Sequence, residues 1–245
     1  MSRYRIKIEY DGTPFVGWQF QKNGLSIQEV IQQAIFNFSK EKIVLTGAGR
    51  TDSGVHALAQ VAHFDLKKKI KKEKILAGIN HNLGNKPITI LKIKKTNKKF
   101  HARFDAKKRT YQYLIINRQS PLTLQKNKAW HVRKKLNLKA MKKGAKILLG
   151  THDFSTFRAS SCQAKSPVKT LKNASVKKDG DKIILKFTSK SFLQQQVRSM
   201  TGCIKYLGDG KWNIDNFKKA LKSKNRIKCA PPAPACGLYL NKVSY

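Results

Sequence analysis

The sequence predicts an α+β protein built from two similar halves, each an antiparallel sheet with helices packed on one face. Three observations carry that expectation. Short runs that alternate apolar and polar residues recur along the chain and read as strands. Between them lie segments with apolar residues at helical spacing, some introduced by a capping residue. The strand and helix style of residues 1–108 then repeats over 109–245, which divides the chain into two halves that meet near residue 110. The exposed sheet faces would form a groove.

Tyr4, Ile6, Ile8 and Tyr10 alternate with Arg5, Lys7 and Glu9, a half-buried strand that ends at the turn Asp11-Gly12-Thr13-Pro14. Ser26 reads as an N-cap with Glu29 three positions on, and Ile27, Val30, Ile31, Ala34, Ile35 and Phe38 mark one apolar helix face. Strands follow at 43–46 and 60–65, a short basic helix at 71–80, and another strand at 88–93. The span 104–117 holds the alternating run 110–116, a long strand. In the second half 136–149 is helical with Gly150 as a stop, and 171–177 pairs with 182–188 as a hairpin across residues 178–181. Helices are expected at 192–207 and 214–221. Residues 230–234 are Pro-rich and read as a loop, and 238–240 lie in a closing strand.

Composition narrows the partner. The chain of 245 residues carries 52 Lys and Arg against 13 Asp and Glu, a formal charge of +39. Such an excess points to a polyanion, and to nucleic acid first. Only ten of the 52 are arginines, so lysine bias in composition is the competing explanation. The few arginines carry more information, because a planar guanidinium grips phosphate or carboxylate with fixed geometry. Cys162, Cys203, Cys229 and Cys236 are widely and irregularly spaced, which predicts neither a zinc site nor a disulfide framework and fits a reducing, cytoplasmic compartment. The six histidines show no metal-ligand spacing. No run of 18 apolar residues predicts a membrane span, and the start lacks the apolar core of a signal peptide.

The most informative stretch runs from Gly47 to Ala57. Asp52, one of few acids, sits between Arg50 and Ser53 in a segment punctuated by Gly47, Gly49 and Gly54 and flanked by strand-like runs. A glycine-rich loop between strands lets a ligand approach the backbone closely. No second acid lies near in sequence to make a paired-carboxylate site. Asp52 therefore reads as a lone carboxylate acting as nucleophile or proton acceptor, or as a simple cap of the following turn. Against a buried base a carboxylate tends to protonate, so a cation has to keep it charged; Arg50 and Arg198 are the candidates.

Gly49-Arg50-Thr51-Asp52-Ser53-Gly54-Val55-His56-Ala57 resembles the signature of the tRNA pseudouridine synthase A family. Matching segments follow in order along essentially the whole chain: 8–12 with 17–19, 26–28, 60–64, 109–113, 152–158, 192–193 with 197–198, and 237–240. The resemblance implies a pseudouridine synthase fold and isomerisation of uridine to pseudouridine in the anticodon stem-loop of tRNA, at tRNA positions 38, 39 and 40. It implies no cofactor and no metal, and a homodimer sharing a basic cleft. It makes Asp52 the nucleophile, attacking C6 of the base or C1′ of the ribose. Tyr111 is implied as the ring on which the flipped uracil stacks, and Arg198 as the partner that holds Asp52. Arg50 is implied either to fill the vacated stack or to contact phosphate, and Leu238 to wall the base from below or to serve as a core leucine. His56 reads as a structural histidine of the loop. Gln194, Gln195 and Gln196 stand where relatives often have histidine, and Ser199 where Asn is usual, which leaves helix packing near Arg198 open. The lysine runs at 67–69, 71–72, 94–95, 98–99 and 177–178 read mainly as solvated faces, with some tracking phosphates. A catalytically silent RNA-binding or RNA-folding protein on the same scaffold is the alternative.

Overall fold

Strand β1 (Ser2–Tyr10) has the expected alternation, with Tyr4, Ile6, Ile8 and Tyr10 buried and Lys7 and Glu9 exposed. Helix α1 (Ile27–Ser39) starts at Ser26, whose hydroxyl accepts from the Glu29 N–H at 3.2 Å, and buries Ile27, Val30, Ile31, Ala34 and Ile35. The strand expected at 43–46 shrinks to β2 (Thr46–Gly47). Its backbone is satisfied from another direction: Gln28 of α1 donates to the Leu45 carbonyl at 2.8 Å, and Gln32 accepts from the Leu45 N–H at 3.1 Å. Side chains of the helix thus replace a ladder, which no local apolar pattern records. Strand β3 (His56–Leu66) begins four residues before the expected start, so the glycine-rich loop runs straight into it. Helix α2 (Lys72–Leu83) follows, then β4 (Ile88–Thr96). Strand β1 lies between β3 and β4, antiparallel to both.

Strand β5 (Lys108–Ile116) is shorter than the run 104–117, because residues 101–105 turn, with the Asp105 N–H bonded to the His101 carbonyl at 3.0 Å. The short β6 (Trp130–His131) runs parallel to β5. Helix α3 (Leu138–Ile147) is capped by Asn137, and β7 (Gly150–Asp153) leaves it through Gly150 at φ 94°. Strands β8 (Val168–Asp179) and β9 (Lys182–Ser189) form the expected hairpin. The ladder closes at Asp179 and Lys182, so the turn tightens to Gly180-Asp181 with Gly180 at φ 55°. Helix α4 (Gln196–Gly208) starts four residues later than the apolar pattern suggests, because Gln195 takes a left-handed conformation and interrupts the helical run. Helix α5 (Ile214–Ser223) has an Asn213–Asn216 capping box. Strand order here is β5-β9-β8-β7, antiparallel throughout.

The closing strand β10 (Leu238–Ser244) departs from the expected halves. The computed structural model describes residues 1–245, which cluster into one unit of Met1–Lys107 with Tyr239–Tyr245 and a second of Lys108–Leu238. Residues 239–245 thus join the first unit rather than the span 109–245. Tyr239 and Leu240 pair with His56 and Ala57 in parallel, so the first unit's sheet is mixed rather than purely antiparallel. A parallel pairing needs a long connection. Here the whole second unit supplies it. In the first unit α2 packs on β4 and α1 on α2; in the second α3 packs on β8 and meets α4 and α5.

Candidate active site

Asp52 is partly exposed at the crest of a loop whose walls are mostly backbone. The Trp18 N–H bonds the Thr51 carbonyl at 3.0 Å, Gly17 and Asp52 form an isolated antiparallel bridge, and the Val55 N–H closes on the Asp52 carbonyl at 3.2 Å. Segment 11–18 thus holds the loop from one side. Strand β3 holds it from the other: the Ala48 N–H bonds the Val61 carbonyl at 2.7 Å, and Gln60 donates to the Gly49 carbonyl at 2.8 Å. Two hydroxyl contacts complete the grip, Tyr10 with Thr51 at 2.8 Å and Ser53 onto the Phe15 carbonyl at 3.1 Å. Glycine is needed where chains touch. A Cβ on Gly12 would stand 2.1 Å from the Val55 carbonyl oxygen, and one on Gly17, at φ 118°, 2.7 Å from that of Thr51.

His56 is buried at 2 % exposure, takes the Gly12 N–H on Nδ1 at 3.0 Å and stacks on Tyr239 at 4.7 Å between ring centres. Asp11 Oδ1 lies 3.1 Å from the same nitrogen. His56 holds backbone, as the sequence suggests. Arg50 is exposed on the loop, two residues from Asp52.

Tyr111, Arg198 and Leu238 belong to the second unit. Tyr111 lies on β5 opposite Phe187, is 8 % exposed, and has its ring held edge-on by Phe192 at 5.2 Å and 89°. Arg198 is partly exposed in the first turn of α4. Its Nε donates to the Ala233 carbonyl at 2.7 Å while its own carbonyl accepts from the Ala233 N–H at 3.0 Å. The Pro-rich loop is therefore the rest on which the guanidinium lies. Leu238, 6 % exposed, follows Gly237, where a Cβ would stand 2.6 Å from the Tyr113 ring. The two departures noted above have structural uses. Gln196 is fully buried and accepts the Leu193 N–H at 2.8 Å, and Ser199 accepts from Arg226 at 3.0 Å. What the sequence reading missed is the support: Tyr10 and Gln60 lie in the family-like segments 8–12 and 60–64 without an assigned role, Ala233 lies in none, and only their bonds to the loop or arginine reveal what they do.

The chain matches the family model described as tRNA pseudouridine synthase over residues 6–105 and 145–245. The chain belongs to the tRNA pseudouridine synthase family. Curated relatives extend the match end to end. The chain is 57 % identical to the tRNA pseudouridine synthase A of Pelagibacter ubique over 246 residues, all of both chains. It is 48 % identical to that of Maricaulis maris, across all of this chain and 98 % of the relative, and 45 % identical to that of Rhodospirillum centenum across all of both. The spans matched by the synthase family model contain Arg50, Asp52, Arg198 and Leu238, while Tyr111 falls between them. No helix of the synthase is long and apolar enough to cross a membrane.

Proposed function

We propose that this chain isomerises uridine to pseudouridine in the anticodon stem-loop of tRNA, at tRNA positions 38, 39 and 40, with Asp52 as the nucleophile. The single observation that carries the assignment of Asp52 is its setting. A lone carboxylate is fixed by backbone bonds on both sides of a loop within the matched family span. A solubility charge requires no such fixing. The reaction breaks the bond between C1′ and N1, turns the uracil and forms a bond from C1′ to C5, with the C5 proton leaving and N1 taking one up. It is redox-neutral and adds no atoms, so side chains alone balance it.

The reacting base has to leave its stack, at a cost of a few kcal/mol. Tyr111 offers an aromatic ring fixed by Phe192, and base stacking on such a ring returns about 1–3 kcal/mol. Arg198, aimed by its bond to Ala233, is the cation assigned to Asp52, and Leu238 the apolar wall for the base. Arg50, exposed beside the nucleophile, is assigned to the vacated stack or to a phosphate. A cytoplasmic homodimer is the form we assign to the active protein.

Asp52→Asn tests the assignment directly. Pseudouridine mapped in a tRNA transcript is expected at the three positions with the wild-type protein and at none with the variant, while tRNA affinity changes less than about twofold. Turnover by Asp52→Asn would remove the nucleophile, and no product from the wild type would favour a silent RNA-binding protein.

A further inference from the structure

We infer that the open face of the first unit's sheet carries a phosphate-binding trough that grips the RNA backbone away from the reacting base; this rests on tRNA being the substrate. The trough is a cavity of about 500 Å³. Its floor is β3, where Ala59 and Val61 are small and present the face opposite Gln60, Ala62 and Phe64. Its walls carry Arg5 and Lys7 of β1 and Lys92 and Lys94 of β4, with Tyr245, just past β10, against Arg5. None of the lining residues is acidic.

Lysines on a solvated face are commonplace in a chain this basic, but three features set these apart. First, the register places Arg5 directly opposite Lys94 and Lys7 opposite Lys92. Like charges facing each other across strands destabilise a sheet unless an anion intervenes. Second, the neighbouring arginine on the same strand face is neutralised within the protein: Arg3 forms a two-point pair with Asp65, at 2.9 and 2.7 Å. The trough cations have no such acid. Third, Arg5 is held, its guanidinium 5.5 Å from the Phe100 ring centre and 5.3 Å from that of Tyr245. Tyr245 is tied in turn to the Ala102 carbonyl at 2.7 Å. A guanidinium fixed against aromatic rings is already ordered for a phosphate.

Position supports the same conclusion. Tyr10, at the end of β1, bonds the residue next to Asp52. Lys7 and Arg5 lie three and five residues back along that strand, about 10–17 Å at 3.3 Å per residue. That is too far to touch the reacting uridine and near enough for phosphates a few nucleotides away. The trough supplies affinity and leaves the chemical step alone.

Lys92→Gln/Lys94→Gln tests this against Lys72→Gln/Lys74→Gln, which removes the same charge from exposed positions on α2. Binding of a tRNA transcript is measured over a range of salt, with pseudouridine formation at saturating tRNA followed alongside. The trough variant is expected to bind about tenfold more weakly and to lower the slope of log affinity against log salt by about 1–2, with turnover within about twofold. The α2 variant is expected to leave affinity and slope near wild type. Lys7→Gln, on β1 opposite Lys92, is expected to move affinity in the same direction and tests the site independently of β4. Equal losses in trough and control variants, an unchanged slope, or a fall in turnover at unchanged affinity would each overturn the trough while wild-type turnover keeps the enzyme assignment. A wild-type protein that neither binds nor modifies tRNA would overturn both.

Discussion

The two units fix their key residues by different means. Asp52 in the first is held by main chain, with the loop stitched to segment 11–18 and to β3 through backbone N–H and carbonyl groups. The Arg198 guanidinium in the second is aimed through its own side chain, by a bond from Nε to the Ala233 carbonyl of a Pro-rich loop whose Ala233 N–H in turn bonds the Arg198 carbonyl. Both rely on close approach at glycine, Gly17 against Thr51 and Gly202 against Pro231. What differs is what the glycine touches: in the first unit it touches the loop that carries the carboxylate, in the second a loop one step removed from the cation. The position of Asp52 is thus written in backbone geometry, and the aim of the Arg198 guanidinium in a side-chain bond.

Gly17→Ala is the sharpest way to break the contrast. Gly17 sits at φ 118°, and its new Cβ would meet the Thr51 oxygen at 2.7 Å. Strain of about 1–3 kcal/mol is expected. Moving the loop by even 1 Å is expected to lower turnover about 100-fold, because that displacement misaims the carboxylate. Rapid-quench assays and thermal melts check this. Melting lowered with turnover intact would mean the loop tolerates displacement and that backbone does not set the geometry of Asp52.

Titration separates the units next. His63 of β3 is 6 % exposed, and its Nδ1 accepts the Ala102 N–H at 3.1 Å, a role open only to the neutral ring. Burial, then the charges of Arg3 and His101, push its pKa down to about 4, against smaller opposing effects from Asp65 and Asp105. The unfolded chain therefore takes the proton first, near pH 6.5, and stability falls as pH drops from there to about 4. The expected loss is about 2–3 kcal/mol across that window. The second unit buries no imidazole, since His131 and His152 are part-exposed. Urea titrations at several pH values check the window, and His63→Asn, which keeps an acceptor near the Nδ1 position, is expected to flatten it. An unchanged pH profile in that variant would assign the loss elsewhere.

How far the sequence revealed this depended on whether the cause was local. The start of α1 was legible because Ser26 and Glu29 act within one turn, and the β8–β9 hairpin because its turn chemistry lies in adjacent residues. The Asp52 loop was legible for the same reason. The late start of α4 was not, since it depends on one left-handed residue, Gln195, inside an apolar pattern that still looks helical. Nor was the fate of 43–46, where glutamines of α1 take over the backbone bonds. The return of 239–245 to pair in parallel with β3 has no local signal, because its partner lies some 180 residues earlier in the chain. The trough was hidden too: Arg5 and Lys94 are distant in sequence, and only register sets them face to face.

The smallest expected effect compares two tyrosines that do equivalent jobs. Tyr10 on β1 shares a hydrogen bond with the Thr51 hydroxyl beside Asp52, and Tyr113 on β5 donates to the Pro234 carbonyl beside the loop that Arg198 grips. Both rings are buried, Tyr10 at 2 % and Tyr113 fully, and burial raises the Tyr113 phenol's pKa so that it stays a donor. Removing either hydroxyl is expected to cost about 0.5–1.5 kcal/mol, with Tyr113→Phe at the upper end. The reason is what remains. Thr51 keeps a rotatable hydroxyl that can seek another partner, whereas Pro234 is left with a carbonyl that cannot turn. Chemical denaturation of Tyr10→Phe and Tyr113→Phe measures the order. In the same pair, turnover is expected to fall more for Tyr10→Phe, because its bond ends one residue from Asp52, the proposed nucleophile, while the Tyr113 bond ends at Pro234, next to the Ala233 that Arg198 bonds. The reverse order in turnover would show that the side-chain-held unit, and not the backbone-held loop, limits the geometry of the reaction.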